Sequence, residues 1–355
     1  MASLTLRAGP DALRLIRERG LRAEDVDVIP GASGGAKWLV LGGIDRYLFG
    51  EFLQRSRARP LHLIGSSIGS WRMACLAQRD PVAALERGHR AYIYEQRYPR
   101  KPSPRTVTEV LGRALDILLG PGGVDEILSH PWARLHVITA QGRGLAAIDR
   151  RPALVAALAL AAAGNVVSRR ALALQMRRCI FHSAADGSPF RHLTDLPTRH
   201  VPLTRENLRD VLLASGSIPL LVEGVRIPET PGSAGVHWDG GVLDYHLDLD
   251  FGAGEGLVLY PHFYAHVVPG WFDKSLPWRR ARGANFRRAL LVAPSDAFVA
   301  SLPGGKIPDR HDFYTFADGE RTRRWQAALD ASEQLGDELR ELVETGRLAD
   351  RVQPW

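Results

Sequence analysis

Ser67 stands in Gly65-Ser66-Ser67-Ile68-Gly69, directly after the apolar run Leu61-His62-Leu63-Ile64 and directly before a segment with helical spacing. A strand, a tight turn and a helix in that order would lift the serine hydroxyl out at the turn, above a helix N-terminus. That is how a nucleophile for acyl transfer is presented. A serine hydroxyl is a weak nucleophile until a base takes its proton, and the tetrahedral intermediate needs donors aimed at its oxyanion. A base and an oxyanion site must therefore be found elsewhere in the chain.

Gly-x-Ser-x-Gly occurs twice. Gly31-Ala32-Ser33-Gly34-Gly35 also follows an apolar run and precedes a helical pattern, so the pattern alone does not choose the nucleophile. The surroundings do. Pro30 to Lys37 gathers three glycines and a cation where a helix begins, and free N–H groups at such a point form an anion-binding nest. By composition this is an oxyanion loop, and Ser33 is read as part of the loop. A phosphate loop would need Gly-Lys-Ser/Thr, whereas Ala36 precedes Lys37 and Trp38 follows it. For the base, Val236-His237-Trp238-Asp239-Gly240-Gly241 offers a carboxylate at a tight bend after a short strand. Read alone, Ser67 is also a good helix cap, Asp239 a good turn residue and Lys37 a solvated helix lysine.

Taken together, the pieces resemble the patatin-like phospholipase family. Gly34-Gly35-Ala36-Lys37 is similar to its Gly-Gly-x-Arg/Lys loop, Gly65 to Gly69 to its Gly-x-Ser-x-Gly, and Asp239-Gly240-Gly241 to its Asp-Gly-Gly. Ala214-Ser215-Gly216-Ser217-Ile218-Pro219 is similar to the Ala-Ser-x-x-x-Pro segment ahead of the aspartate. The resemblance spans about 26 to 250. It implies an α/β fold with three layers, α/β/α, around a central, mostly parallel sheet, and hydrolysis of lipid acyl esters by a Ser-Asp dyad without metal or cofactor. Carried over, Ser67 is the nucleophile, Asp239 the general base, the N–H groups of Gly34, Gly35 and Ala36 the oxyanion donors, and Lys37 the family's cation. Trp38 and the opening Pro30-Gly31-Ala32 depart from the family pattern and bear on substrate choice. Two alternatives stay open: a lipid-binding protein of the same fold without turnover, and a Ser-His-Asp esterase, for which the 12 histidines leave room.

The elements that must carry these residues are legible as alternating patterns. Short apolar runs at 26–29, 61–64, 135–139, 179–182, 256–260 and 289–292 predict strands, and helical spacing at 37–53, 68–78, 104–119, 152–178, 205–215 and 318–346 predicts helices. Strands alternating with helices predict a largely parallel sheet covered on both faces. Pro/Gly-rich stretches at 228–235 and 302–308 read as surface loops, so the chain is expected to form one domain over 1–355, with the stretch from about 255 to 355 packed on the motif-bearing core. Ala153 to Ala163 is expected as a buried helix, too short for the roughly 20 residues that cross a bilayer. Asp244, Asp248 and Asp250, alternating with leucines, read as one solvated strand face.

The 355 residues are 45% hydrophobic and 24% charged, an ordinary globular composition. Cys75 and Cys179 lie far apart in apolar patterns, as reduced core residues would. The amphipathic start, with Leu13, Leu15 and Ile16 among arginines, lacks the apolar stretch of a secretory signal and predicts a cytoplasmic protein. A net charge of +7 invites nucleic acid, but the arginines are scattered and no nucleic-acid module is present. His262 and His266 lack the neighbouring glutamate of a zinc-protease helix, so no metal site is expected. The densest patch, Trp271, Phe272, Lys274, Trp278, Arg279, Arg280 and Arg282, has two readings: a Pro-broken loop whose aromatics fold back onto the core, or a surface lying against lipid headgroups, which gives peripheral membrane contact alongside a lipid substrate.

Overall fold

All six apolar runs form strands in one sheet of a computed structural model that describes every residue except 1, 55, 56, 58, 185, 186, 228–233, 253, 255 and 282. The strands are β1 (Leu4–Ala8), β2 (Val26–Gly31), β3 (Leu61–Ser66), β4 (Ala133–Gly142), β5 (Met176–His182), β6 (Thr198–Pro202), β7 (Val225–Arg226), β8 (Val236–Asp239), β9 (Leu257–Pro261), β10 (Ala289–Pro294) and β11 (Gln353–Pro354). Their order is β11-β1-β10-β9-β2-β3-β4-β5-β6, with β8 on β4 and β7 on β8. The central run β10-β9-β2-β3-β4 is parallel throughout, and the antiparallel pairs are β1/β10, β4/β5, β4/β8 and β7/β8. The sheet is thus α/β, mixed and mostly parallel. β2, β3 and β9 are buried almost throughout, as strands covered on both faces must be.

One detail of register positions the site. β5 runs along one edge of β4 as far as Gly142, while β3 occupies the other edge only to Ser66, opposite Ile138. From the next residue of β4 the vacated lane is taken by β8, running the other way, with Asp239 opposite Thr139. Two strands 172 residues apart at their key positions therefore end almost tip to tip, measured against the same neighbour.

The predicted helices form with three differences. Residues 104–119 are helical as predicted, started by Ser103, whose hydroxyl accepts from the Thr106 N–H, and stopped at Gly120 with φ of 61°. The 152–178 pattern ends at Val167, because Ser168 turns extended, a 3-10 stretch follows, and Met176 onward is drawn into the sheet as β5. The 318–346 pattern is two helices, Asp318–Ala331 and Glu333–Glu344, broken at buried Ser332, whose hydroxyl accepts from the Gly43 N–H at 2.9 Å. The 37–53 pattern is a composite of 3-10 (Gly35–Leu41), α (Gly42–Tyr47) and π (Leu48–Phe52) turns, in which Gly43 lies so close to the Ser332 carbonyl that a Cβ would meet it at 2.1 Å.

Two expectations are corrected. Residues 244–250 form no strand, and Asp244 is buried in a bidentate pair with Arg178 at 2.7 Å rather than solvated; Asp248 bonds Asn285, and only Asp250 is exposed. The Arg151–Val167 helix is buried on one face only, against a small satellite core with Trp238, Val242 and Leu243. Cys75 and Cys179 are buried and unpaired, as predicted. The 228–233 loop reading and Arg282 fall outside the described residues, and among the described residues no helix is long and apolar enough to cross a membrane.

Candidate active site

β3 ends at Ser66 and the next helix starts at Ile68, leaving Ser67 alone at the turn with φ 54° and ψ −133°. A side chain in that region is strained by about 1–3 kcal/mol and stays there only if its surroundings insist. They do so through hydrogen bonds. The Ser67 N–H donates to Ser215 Oγ at 2.9 Å, Ser215 Oγ in turn donates to the Ile138 carbonyl at 2.7 Å, and the Ser67 carbonyl accepts from Ser70 Oγ at 2.6 Å. Gly65 lets the helix start fold back over the end of β3, where a Cβ would meet Ser70 N at 2.5 Å, and Gly69 lets the turn sit close to β2, where a Cβ would lie 1.9 Å from the Gly31 oxygen. The Ser67 hydroxyl does not cap its helix; it donates to Asp239 Oδ2 at 2.7 Å.

Asp239 is fixed on both sides. Its N–H donates to the Ser217 carbonyl at 2.9 Å, and its Oδ1 accepts from the Gly241 N–H at 2.7 Å, while Gly240 packs on the Ile138 carbonyl where a Cβ would meet it at 2.2 Å. Residues 215 and 217 of the Ala-Ser segment thus hold the serine and the aspartate in turn. Ser67 is 8% exposed and Asp239 6%. Burial pushes the Asp239 carboxyl up to about 6, opposed by its bonds from Ser67 and Gly241 and by the charge of Lys274. At neutral pH it is mostly ionised yet basic enough to take a proton. The serine–aspartate bond is direct, with no imidazole between, which removes the geometry of a Ser-His-Asp relay.

The other Gly-x-Ser-x-Gly copy lies beside it. Ser33 is buried; its hydroxyl contacts Ser66 Oγ at 2.7 Å and donates to the Ser66 carbonyl at 3.1 Å, and its N–H donates to the Tyr245 carbonyl at 2.8 Å. Ser66 Oγ donates onward to the Asp244 carbonyl at 2.7 Å, so Ser33 is a staple of the loop, as its sequence context predicted. Gly34 and Gly35 follow, Gly35 at φ 57°, and the 3-10 helix then begins. Among the described residues no hydrogen-bond acceptor is found for the N–H groups of Gly34, Gly35 and Ala36. Ser33 also abuts Gly241, where a Cβ would meet its Oγ at 2.4 Å, so the loop and the Asp-Gly-Gly turn face each other across Ser66.

Trp38 is a core residue, its ring tilted against His89 at 4.5 Å and edge-on to Tyr92. It anchors the helix behind the loop. Lys37 is half-buried, 6.0 Å from the Phe263 ring centre, and burial lowers its pKa, with Asp309 opposing. Sequence reasoning missed the second cation here. Lys274 is exposed along its length, but its ammonium sits 3.8 Å above the Tyr245 ring, and burial there, then Lys37 and Arg310, push it down to about 7 against the pull of Asp239. The only sequence signal for it was membership of the aromatic-basic patch. Within that patch Trp271 and Phe272 are half-buried, Phe272 against the satellite core, and Trp278 alone among the three aromatics stands exposed. Among the described residues no group of three or more His, Cys, Asp or Glu side chains is arranged to hold a metal.

A family model for patatin-like phospholipases matches residues 32–246, which includes Gly34 to Lys37 of the glycine-rich loop, the Ser67 turn, the Ala-Ser segment and the Asp-Gly-Gly turn. Among solved structures, that of VipD from Legionella pneumophila aligns over 95% of this chain and 71% of its own, at 13% identity and a TM-score of 0.35. No curated protein sequence matches.

Proposed function

The chain belongs to the patatin-like phospholipase family, whose members act on acyl esters of lipids, and we propose that it is itself a serine acyl hydrolase using Ser67 and Asp239. The observation that carries this reading is the direct 2.7 Å bond from Ser67 Oγ to a buried, ionisable carboxylate at a strained turn. In the proposed cycle Asp239 Oδ2 takes the hydroxyl proton while Ser67 Oγ bonds to the ester carbonyl carbon. The oxyanion forms against the free N–H groups of Gly34, Gly35 and Ala36, with Lys37 behind them. Collapse breaks the bond to the leaving alcohol, which receives the proton from Asp239. Water then attacks the acyl-serine, Asp239 takes its proton, and the second collapse releases the fatty acid and returns the proton to Ser67.

The carboxylic ester of a phospholipid, lysophospholipid or acylglycerol fits this chemistry, and none of the steps calls for a metal. The test is labelling by a fluorophosphonate probe together with turnover of p-nitrophenyl esters of graded chain length, followed by phospholipid and lysophospholipid. Wild type should label at Ser67, and Ser67→Ala should neither label nor turn over while melting like the wild type. A wild type that fails to label would favour a lipid-binding protein without turnover; a labelled, active Ser67→Ala would place the nucleophile elsewhere.

A further inference from the structure

The Arg151–Val167 helix carries no charged residue from 152 to 168, and a helix so apolar is normally buried all round. Here half of it faces out. Val155, Leu160, Val166 and Val167 are 46%, 55%, 53% and 85% exposed, and Trp278 beside the helix end is 58% exposed. The alanines at 156, 159 and 163 continue the same face at helical spacing. Scattered apolar residues need no explanation, but a contiguous stripe with a tryptophan at its edge marks a surface that meets something.

The surroundings of the stripe say what. Arg150 precedes the helix, Arg151 opens it and Arg170 follows it, all three exposed, while half-buried Arg169 is spent on Asp273 and the Arg279 guanidinium closes the helix end by donating to the carbonyls of Asn165, Val166 and Val167 at 3.0, 3.3 and 3.2 Å. Of the two acids in the segments concerned, Asp149 is exposed, and Asp273 is buried and neutralised by Arg169 at 2.7 Å. An apolar stripe with a tryptophan and a basic rim complements a layer of anionic headgroups over acyl chains. A second copy docked across a two-fold axis would instead set the same basic rim against itself.

The stripe is also tied mechanically to the candidate site. On its buried side the helix contributes Leu154, Ala157 and Ala161 to the satellite core that also holds Trp238, Val242 and Leu243, which bracket Asp239. At its end Asn165 Nδ2 and Arg169 clamp the Asp273 carboxylate, each at 2.7 Å, and the next residue, Lys274, lies over the ring of Tyr245, whose carbonyl accepts from the Ser33 N–H beside the site. We propose that the outward face of the Arg151–Val167 helix, with Trp278 and the framing arginines, is the surface on which this protein lies against an anionic lipid layer, holding the Ser67–Asp239 mouth to acyl esters in that layer. The docking does not depend on the acyl-hydrolase reading; the use made of it does.

The test is flotation of the full-length protein with vesicles of mixed phosphatidylglycerol and phosphatidylcholine, and with phosphatidylcholine alone. Wild type and Ser67→Ala should float alike with the anionic vesicles, and added salt should release both. The double variant Leu160→Glu/Val167→Glu should bind at least about tenfold more weakly, since each site loses the burial of an aliphatic side chain, while its turnover of a soluble short-chain ester stays unchanged. Ile117→Glu, exposed on the Pro104–Leu119 helix, is the control for an added carboxylate elsewhere and should bind as wild type does. Arg150→Glu/Arg170→Glu should weaken binding to the anionic vesicles without a change in melting temperature. The proposal is overturned if wild type does not float, if the Leu160→Glu/Val167→Glu protein floats as well as wild type, or if wild type is a dimer that this pair of changes dissociates. Flotation of a wild type that hydrolyses no ester would leave the docking surface standing and remove the hydrolase reading instead.

Discussion

Replacing Asp239 by asparagine should abolish turnover and make the protein more stable at neutral pH. The carboxylate is buried, and its pKa rises from the ordinary 3.8 to about 6 chiefly because water is excluded from the charged form. Because the folded protein holds this proton more tightly than the unfolded chain does, the group's stabilising contribution is complete below pH 3.8 and is lost as the pH rises through about 6. That distance corresponds to about 3 kcal/mol, the strain of keeping the ionised group in place at pH 7. Asparagine keeps the shape, its Oδ1 still accepts from the Gly241 N–H, and its amide can donate to Ser67 Oγ. What it removes is the buried charge. Urea unfolding of wild type and Asp239→Asn should therefore show the variant more stable at pH 7 by up to about 3 kcal/mol, with the gap closing toward pH 4 as the wild-type carboxyl takes up its proton. In parallel, wild-type kcat/KM should be flat above about pH 7 and fall roughly tenfold per pH unit below about 6, as the base is lost. A variant that is less stable at pH 7, or a gap indifferent to pH, would refute the argument that burial sets this carboxyl.

Three further outcomes are expected. Gly69→Ala drives a methyl to within 1.9 Å of the Gly31 oxygen, so it should unfold the Ser67 turn or cost more than about 3 kcal/mol by urea titration. Arg178→Met leaves Asp244 and Asp195 without their shared guanidinium, a loss of about 3–5 kcal/mol in urea unfolding. Trp38→Ala should cost about 3–5 kcal/mol in the same assay, while Trp38→Phe should keep both stability and acyl-chain preference, because the indole fills core space rather than lining the site.

The local parts of the site were legible because local spacing makes them. Leu61 to Gly69 encodes strand, turn and helix in nine consecutive residues, and the Gly34–Lys37 loop encodes its own helix start. What escaped the sequence was set at a distance. Asp244 alternates with leucines like a strand face, yet its fate is decided by Arg178, 66 residues earlier. The Arg151–Val167 helix reads as buried on hydrophobicity alone, and only the absence of a covering layer on one side leaves its valines in the open. β1 is a five-residue alternation, Leu4-Thr5-Leu6-Arg7-Ala8, that becomes a strand by pairing with β10 nearly 300 positions away. The Pro81–Tyr94 helix was not predicted, although Asp80, which accepts from the Ala83 N–H, and Pro81 at the first turn announce it. The break at Ser332 likewise belongs to Gly43 as much as to its own segment.

The lane shared by β3 and β8 along β4 has a consequence in time. A chain made from its N-terminus exposes the strained serine turn long before residue 239 exists, and closing so long a loop comes late in folding. Until β8 takes the position that β3 vacates, the Ser67 hydroxyl lacks the carboxylate to which it donates in the finished sheet. On the reading proposed for Ser67 and Asp239, a half-made molecule would therefore be inert toward acyl esters. The pair is complete only once β8 lies on β4, so that on the proposed reading a finished sheet is the condition for the first turnover.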